Sequence, residues 1–274
     1  MFVERQGAQL FFEVRGAGPA LVLLHPTPTN HQFWLPMVDR LSAKFRVVLV
    51  DLRGHGRSTL GAGPMTMDGL AEDVHAILAA AKVERAHFAG CSIGSYLLYR
   101  YWAKYPAQMQ SMAFLCGKPQ PDSAANREKR QEWMELAQRP GGLGKFYDAM
   151  AASLLGTSAQ QRHPELRRTA RAMMDDVSLD AILAIQQCLA SRADSVPVLA
   201  SLRVPVCVVA GGEDASSTPP EMQVIADRVP QAEFHLLPDA GHYAPLEQPE
   251  VVGGILEKSF LKADAVSPAQ KGGE

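Results

Sequence analysis

The sequence predicts an α/β protein, a mostly parallel sheet of eight strands flanked by helices and interrupted by an inserted helical cap. Three observations predict it. Short apolar runs bounded by Gly, Pro and Asp alternate with longer segments of helical periodicity, the pattern of helices covering both faces of a parallel sheet. Strand signals vanish between about residues 118 and 201 and then return, which marks an insertion. The length, 274 residues, suits one such domain and requires no second one.

The strands are expected at 2–5 and 10–14, paired as a hairpin about Gly7-Ala8, then at 20–24, 46–51, 86–89, 111–116, 206–210 and 233–237. Helical periodicity covers 33–43, 66–81 and 95–105, the last stopping at Pro106. The inserted segment reads as four or five helices broken at Pro140-Gly141-Gly142, near Gly156, at His163-Pro164 and near Ser178. A closing helix over 251–261 begins just after Pro249. The expected organisation is therefore a core of residues 1–118 and 202–262, a cap of residues 119–201, and a tail, 263–274, whose small polar composition predicts disorder.

Charge is nearly balanced, 27 Lys plus Arg against 29 Asp plus Glu, so no field gathers nucleic acid or an anionic membrane. The expected partner is a small molecule, and a homodimer is compatible with the sequence. Cys91, Cys116, Cys188 and Cys207 are scattered singly, as buried free thiols are. With charged residues breaking the N-terminal segment and no apolar run of membrane-spanning length, a cytoplasmic location is expected.

The chemistry centres on Gly90-Cys91-Ser92-Ile93-Gly94, between a buried strand and an amphipathic helix. Small residues around a serine allow a sharp strand-to-helix turn that lifts its hydroxyl above the sheet. A serine hydroxyl is a weak nucleophile at neutral pH and needs a base, and the base needs a third group to fix its tautomer. Asp214 follows the strand at 206–210 and His242 follows the strand at 233–237, so both can meet Ser92 at the carboxyl ends of the strands. Ser92 is the expected nucleophile, His242 the general base and acid, and Asp214 its orienting partner.

An acyl-transfer site also needs donors for the oxyanion. One is the backbone N–H after the nucleophile, here Ile93. The other comes from the loop after the third strand, His25-Pro26-Thr27-Pro28-Thr29, where among residues 26–28 only Thr27 has an N–H. His25, His55 and His235 are read as structural histidines. No His/Cys spacing resembles a zinc site, and neither a dinucleotide fingerprint nor a phosphate-binding loop is present, so no cofactor and no metal are expected.

The elbow, Asp51-Leu-Arg-Gly-His-Gly-Arg-Ser58, Gly211-Gly-Glu-Asp214 before Thr218-Pro219, and Ala240-Gly-His-Tyr-Ala-Pro-Leu-Glu-Gln-Pro249 carry a family resemblance. Over about residues 1–262 the chain resembles the α/β-hydrolase fold-1 superfamily, the broad group of carboxylesterases and enol-lactonase-like serine hydrolases. The resemblance implies the α/β-hydrolase fold and the same three residues, Ser92, Asp214 and His242. It also offers Asp122, after the sixth strand, as the other position from which some members draw the acid. Pro26 departs from the His-Gly of most relatives and brings the loop nearer the His-Gly-Asn-Pro-Thr of haloalkane dehalogenases, whose aspartate nucleophile Ser92 does not match.

The reaction expected is hydrolysis of a small to medium, largely apolar ester or lactone through an acyl-enzyme. Trp133, Met134, Leu136, Phe146, Tyr147, Met150, Met173 and Met174 of the cap are candidates for an apolar wall or for helix packing. The rival readings on the same fold are a carbon–carbon bond hydrolase, a perhydrolase, a cofactor-free dioxygenase, and a ligand receptor with a near-inert site.

Overall fold

Eight strands form one sheet in the order β1-β2-β4-β3-β5-β6-β7-β8. The computed structural model describes residues 1–266. The strands are β1 Phe2–Arg5, β2 Ala8–Arg15, β3 Ala20–Leu24, β4 Arg46–Val50, β5 Ala86–Cys91, β6 Met109–Leu115, β7 Val206–Gly211 and β8 Ala232–Leu237. β1 and β2 are antiparallel, β2 is antiparallel to β4, and every pairing from β4 through β8 is parallel. The hairpin turns on Gln6-Gly7, both at positive φ, and not on Gly7-Ala8; Ala8 already pairs with Arg5. Two successive left-handed residues are what a two-residue hairpin needs to match strand twist.

The near-continuous apolar strands are explained by two covered faces. Along β3 and β4, Leu21, Leu23, Val47 and Leu49 face one core, and Val22, Leu24, Val48 and Val50 face the other. The first core is closed by α1 Leu35–Ser42 and by the last helix, and the second by α2 Met67–Ala80 and α3 Ile93–Lys104. α1 follows a short 3-10 turn, His31–Trp34, which takes the start of the helix expected at 33–43. Thr66 caps α2 by accepting the Gly69 N–H at 3.0 Å.

Between β6 and β7 the chain forms six helices: α4 Ala124–Gln138, α5 Gly142–Ser153, α6 Thr157–Arg162, α7 Glu165–Ala172, α8 Leu179–Ala190 and the single turn α9 Val196–Leu199. The four breaks fall where Gly, Pro and Ser were expected to place them, and α9 is the helix beyond the expected count. Then come α10 Pro219–Arg228, the short α11 Ala244–Glu247 and α12 Pro249–Val266. α12 overturns part of the expected disordered tail. It continues through residues 263–266, and the Ala263 side chain is buried, so packing extends the helix where composition alone argued against it. Residues 267–274 of that expected tail lie outside the described residues.

The strand order reverses at β3, which leads to β4 on one side while β5 lies on the other. At such a switch point the loops leaving adjacent strands diverge and open a crevice at their carboxyl ends. Here those loops begin with His25 after β3 and Ser92 after β5.

Candidate active site

Ser92 sits on a strained corner, with φ 53° and ψ −114°. The corner closes this tightly because Gly90 and Gly94, two residues to either side, lack side chains. A Cβ at Gly90 would lie 2.3 Å from the Gly94 carbonyl carbon, and one at Gly94 would lie 2.3 Å from the Leu24 oxygen. The turn is held by hydrogen bonds: Ser92 N–H to Leu115 O at 3.0 Å, Ser95 Oγ–H to Gly90 O at 2.6 Å, and Leu115 N–H to Ser95 Oγ at 3.0 Å. The helix after the corner starts at Ile93, two residues earlier than expected, so the Ile93 N–H belongs to the first turn of α3.

The loops after β7 and β8 are zipped together. Gly212 N–H donates to Leu237 O and Glu213 N–H to Ala240 O, both at 2.8 Å. A Cβ on Gly211 would meet the Gly241 oxygen at 2.2 Å, and one on Gly212 the Pro238 oxygen at 2.4 Å. The two backbones therefore touch, and that contact delivers His242 to Asp214. His242 Nδ1 lies 2.8 Å from Asp214 Oδ2, with both side chains almost wholly buried. A carboxylate only accepts, so the imidazole proton is on Nδ1 and the lone pair is on Nε2. The loop is joined to the elbow by Cys91, whose Sγ lies 3.7 Å from the His242 carbonyl oxygen.

Asp122 does not reach the histidine. Its buried carboxylate pairs with Arg130 and, at 2.6 Å, with Arg192. Burial raises this carboxyl, but the two guanidinium groups outweigh burial and hold it below the ordinary aspartate value.

Across the crevice, neither the Thr27 nor the Ile93 N–H has a backbone acceptor among the described residues. The Thr27 hydroxyl is committed elsewhere. His55 Nδ1 lies 3.0 Å from Arg53 O, so it carries the proton, and Thr27 Oγ1–H donates to His55 Nε2 at 2.8 Å. His25 is structural in the same sense: Nδ1–H donates to Pro26 O at 2.9 Å and Nε2 accepts the Leu52 N–H at 3.0 Å. His235, half-buried on β8, is not part of the crevice.

Of the cap residues, Phe146, Tyr147, Met173 and Met174 are buried in the core, and Trp133 meets Phe146 edge-on at 5.4 Å. Trp133 and Met150 help line a cavity of about 200 Å³ beside Asp214, whose wall also carries the charged side chains of Lys118, Asp122, Lys129 and Arg130. A larger cavity, about 430 Å³, lies at the amino ends of β6 to β8 against α12, on the far side from these loops.

Two residues near the site escaped the sequence reading. Tyr243 is fully buried and its hydroxyl donates to Thr27 O at 3.4 Å. Glu247 accepts N–H groups from Gly241, Tyr243 and Gly156. Both stand inside the quoted segment 240–249, but no spacing announces their contacts.

These features define an enzyme class, and comparison with known proteins bears on it directly. A family profile for the alpha/beta hydrolase fold matches residues 19–249, and the chain belongs to that family. The chain is 28% identical over 254 residues to 3-oxoadipate enol-lactonase 1 of Acinetobacter baylyi, covering 91% of this chain and 92% of that one. It is 30% identical over 248 residues to the pimeloyl-acyl-carrier-protein methyl ester esterase of Xanthomonas campestris, covering 86% and 92%. Among solved structures, a thermophilic esterase from Thermogutta terrifontis superposes with a TM-score of 0.90 at 30% identity, covering 96% of this chain and 99% of the other.

Proposed function

We propose that the protein is a serine hydrolase that cleaves a small to medium carboxylic ester or lactone through an acyl-enzyme. The observation that carries this reading is the 2.8 Å Asp214–His242 hydrogen bond, which leaves Nε2 as a base in the loop joined to the Ser92 elbow. His242 Nε2 takes the Ser92 proton as Oγ attacks the carbonyl carbon. The oxyanion receives the Ile93 and Thr27 N–H groups, and each such donor contributes about 3–4 kcal/mol to the barrier lowering. The imidazolium then protonates the leaving alkoxide. In the second half-reaction His242 takes a proton from water, the hydroxide attacks the acyl carbon, and the serine leaves with its proton restored.

The enol-lactonase and methyl ester esterase among the relatives support an ester or lactone as substrate. The cavity beside Asp214 has a mixed wall, Trp133, Met150 and Leu154 facing Lys118, Lys129, Arg130 and Gln186, which supports a substrate carrying both an apolar part and a polar or anionic group. Four free thiols fit a reducing, cytoplasmic setting, and no helix among the described residues is long and apolar enough to cross a membrane.

The test is steady-state hydrolysis of p-nitrophenyl esters of increasing acyl length by the wild type, Ser92→Ala and His242→Ala. Turnover by the wild type with a loss of several orders of magnitude in both variants is the expected result. A wild type no faster than its variants on every ester sinks the esterase reading. Activity retained by Ser92→Ala on an oxidisable substrate would instead identify a cofactor-free dioxygenase.

A further inference from the structure

Glu247 carries a buried carboxylate that the proposed reaction does not use. It ends α11, five residues after His242, and folds back over the loop that presents the imidazole. Its Oε2 accepts the Gly241 N–H at 2.8 Å and the Gly156 N–H at 3.1 Å, and its Oε1 accepts the Tyr243 N–H at 3.1 Å. Gly241 and Tyr243 are the two chain neighbours of His242, while Gly156 belongs to the cap, between α5 and α6. One carboxylate therefore grips both sides of the histidine and one point of the cap.

The approach is close. A Cβ on Gly156 would lie 2.7 Å from Gly241 N and 2.9 Å from Glu247 Oε2. The Tyr243 N–H is shared between Glu247 Oε1 and the Leu154 carbonyl at 3.2 Å, a second tie from the cap to the same loop. All three polar partners of Glu247 are donors, so the contacts favour its ionised form even though burial raises its carboxyl above the ordinary value. The other titratable or charged groups around the loop are Asp214 on the histidine, Glu213 on Ser158 of the cap, Arg162 on Asp239, and the Cys91 and Cys116 thiols beneath the His242 and Gly241 carbonyls.

We propose that Glu247 is a positioning residue for His242 and that, through Gly156, it couples the seating of the cap to the orientation of that imidazole. The proposal rests on the reading of His242 as general base. A polar group this deep would be costly unless bonded, and here all its bonds go to the loop and the cap. Displacing an attacking or proton-accepting group by about 1 Å costs on the order of 100-fold in rate, which sets the size of effect expected.

The experiment compares Glu247→Gln and Glu247→Ala with the wild type in the full chain. It measures kcat and KM on the best p-nitrophenyl ester across pH, and follows the His242 imidazole by NMR titration. Glu247→Ala is expected to lose about 100-fold in kcat with KM little changed. Glu247→Gln recovers part of that loss, because its amide oxygen can still accept the Gly241 and Gly156 N–H groups. Both remove a negative charge that favours the imidazolium, so the acid limb of kcat/KM and the imidazole titration move to lower pH. Variants that keep wild-type kcat, or lose activity with the titration unmoved, overturn the proposal. If the alanine variant fails to fold, the glutamine variant decides. If both fail, Gly156→Ala decides, since it forces the cap off the loop without altering charge: a fall in kcat supports the coupling, and unchanged kcat overturns it. Absence of ester turnover in the wild type would count against the hydrolase reading alone, because the NMR titration tests Glu247 without a substrate.

Discussion

Asp214 divides its two oxygens between the backbone and His242. Oδ1 accepts the Ser216 and Ser217 N–H groups at 2.7 and 3.0 Å, while Oδ2 faces His242 Nδ1 at 2.8 Å. The first pair fixes the carboxylate, and the fixed carboxylate fixes the imidazole tautomer. Asp214→Asn keeps the shape but offers an amide where an anion stood, so kcat on an ester is expected to fall by about four orders of magnitude. If Asp122 supplied the acid, the fall would belong to Asp122→Asn. Its carboxylate is held by Arg130 and Arg192, so that substitution leaves the Nδ1 partner of His242 in place. Kinetics of the two variants side by side decide between the positions.

The reason the pairing of Asp214 with His242 could be read ahead of the structure lies in topology. Parallel strands with two covered faces produce apolar runs such as Ala20–Leu24 and Val206–Gly211, and chemistry in such sheets sits just past their carboxyl ends. Looking one loop beyond each run finds Ser92, Asp214 and His242. Glu247 was not legible, because its three donors come from residues 156, 241 and 243, brought together only by the packing of cap against core. The same holds for the extension of α12 to Val266: Ala263 is buried against elements far away in sequence. The Thr27 loop falls between these cases. Its single N–H followed from two flanking prolines, but the commitment of its hydroxyl to His55 depended on where residue 55 would lie.

The buried histidines make acid stability a direct test of the core. His25 is wholly buried with both ring nitrogens bonded as a neutral ring requires; burial first, then the neighbouring His55, lower its pKa from 6.5 to about 3. Below pH 6.5 the unfolded chain gains a proton that the folded ring refuses, so stability falls with pH until about 3, where the folded ring also protonates. Between pH 6.5 and about 5 this one group removes about 2 kcal/mol. Burial shifts His55 and His87 the same way and steepens the fall. Urea midpoints measured across pH should show this slope, and His25→Gln should flatten it. An unchanged slope in the variant would mean that His25 does not stay neutral.

Gly94 lets α3 lie directly on the end of β3. A methyl group there would meet the Leu24 carbonyl oxygen at 2.3 Å, and both atoms belong to backbone with little room to yield. Gly94→Ala is expected to cost about 1–3 kcal/mol or more and, by lifting the first turn of α3 with its Ile93 N–H, to lower kcat by about 100-fold. Gly144, in α5, has nothing within 4 Å of the added carbon, so Gly144→Ala should stabilise the protein by about 0.4–1 kcal/mol. Thermal melts of the pair provide the comparison.

Arg53 and Asp73 form a two-pronged ion pair at 2.6 and 2.7 Å, with both side chains buried, and Asp73 also accepts Arg5 Nη1 at 2.7 Å. This pair pins the loop after β4 to α2. Asp73→Ala leaves the Arg53 guanidinium buried without its counter-ion, and a loss of about 3–5 kcal/mol in urea unfolding is expected. A loss below about 1 kcal/mol, the range of exposed pairs, would show that water reaches Arg53 freely.

The proposed nucleophile can be tested without knowing the substrate. A fluorophosphonate needs only a serine hydroxyl activated by a base and donors for the developing charge on its phosphoryl oxygen. Oγ attack expels fluoride and leaves a phosphonyl ester on the serine. Under the proposed assignment Ser92, at φ 53° on the elbow with the Ile93 N–H beside it, would meet the first requirement through His242 and the second through its own helix. The wild type should gain the mass of one phosphonyl group, located by peptide mapping on Ser92, while Ser92→Ala gains none and His242→Ala reacts far more slowly. The reagent is an acyl-transfer mimic, so labelling would separate a serine hydrolase acting on an untested ester from a receptor with an inert site. Failure of the wild type to label, with the fold intact, would place the chain among the inert members of its family whatever ester is tried.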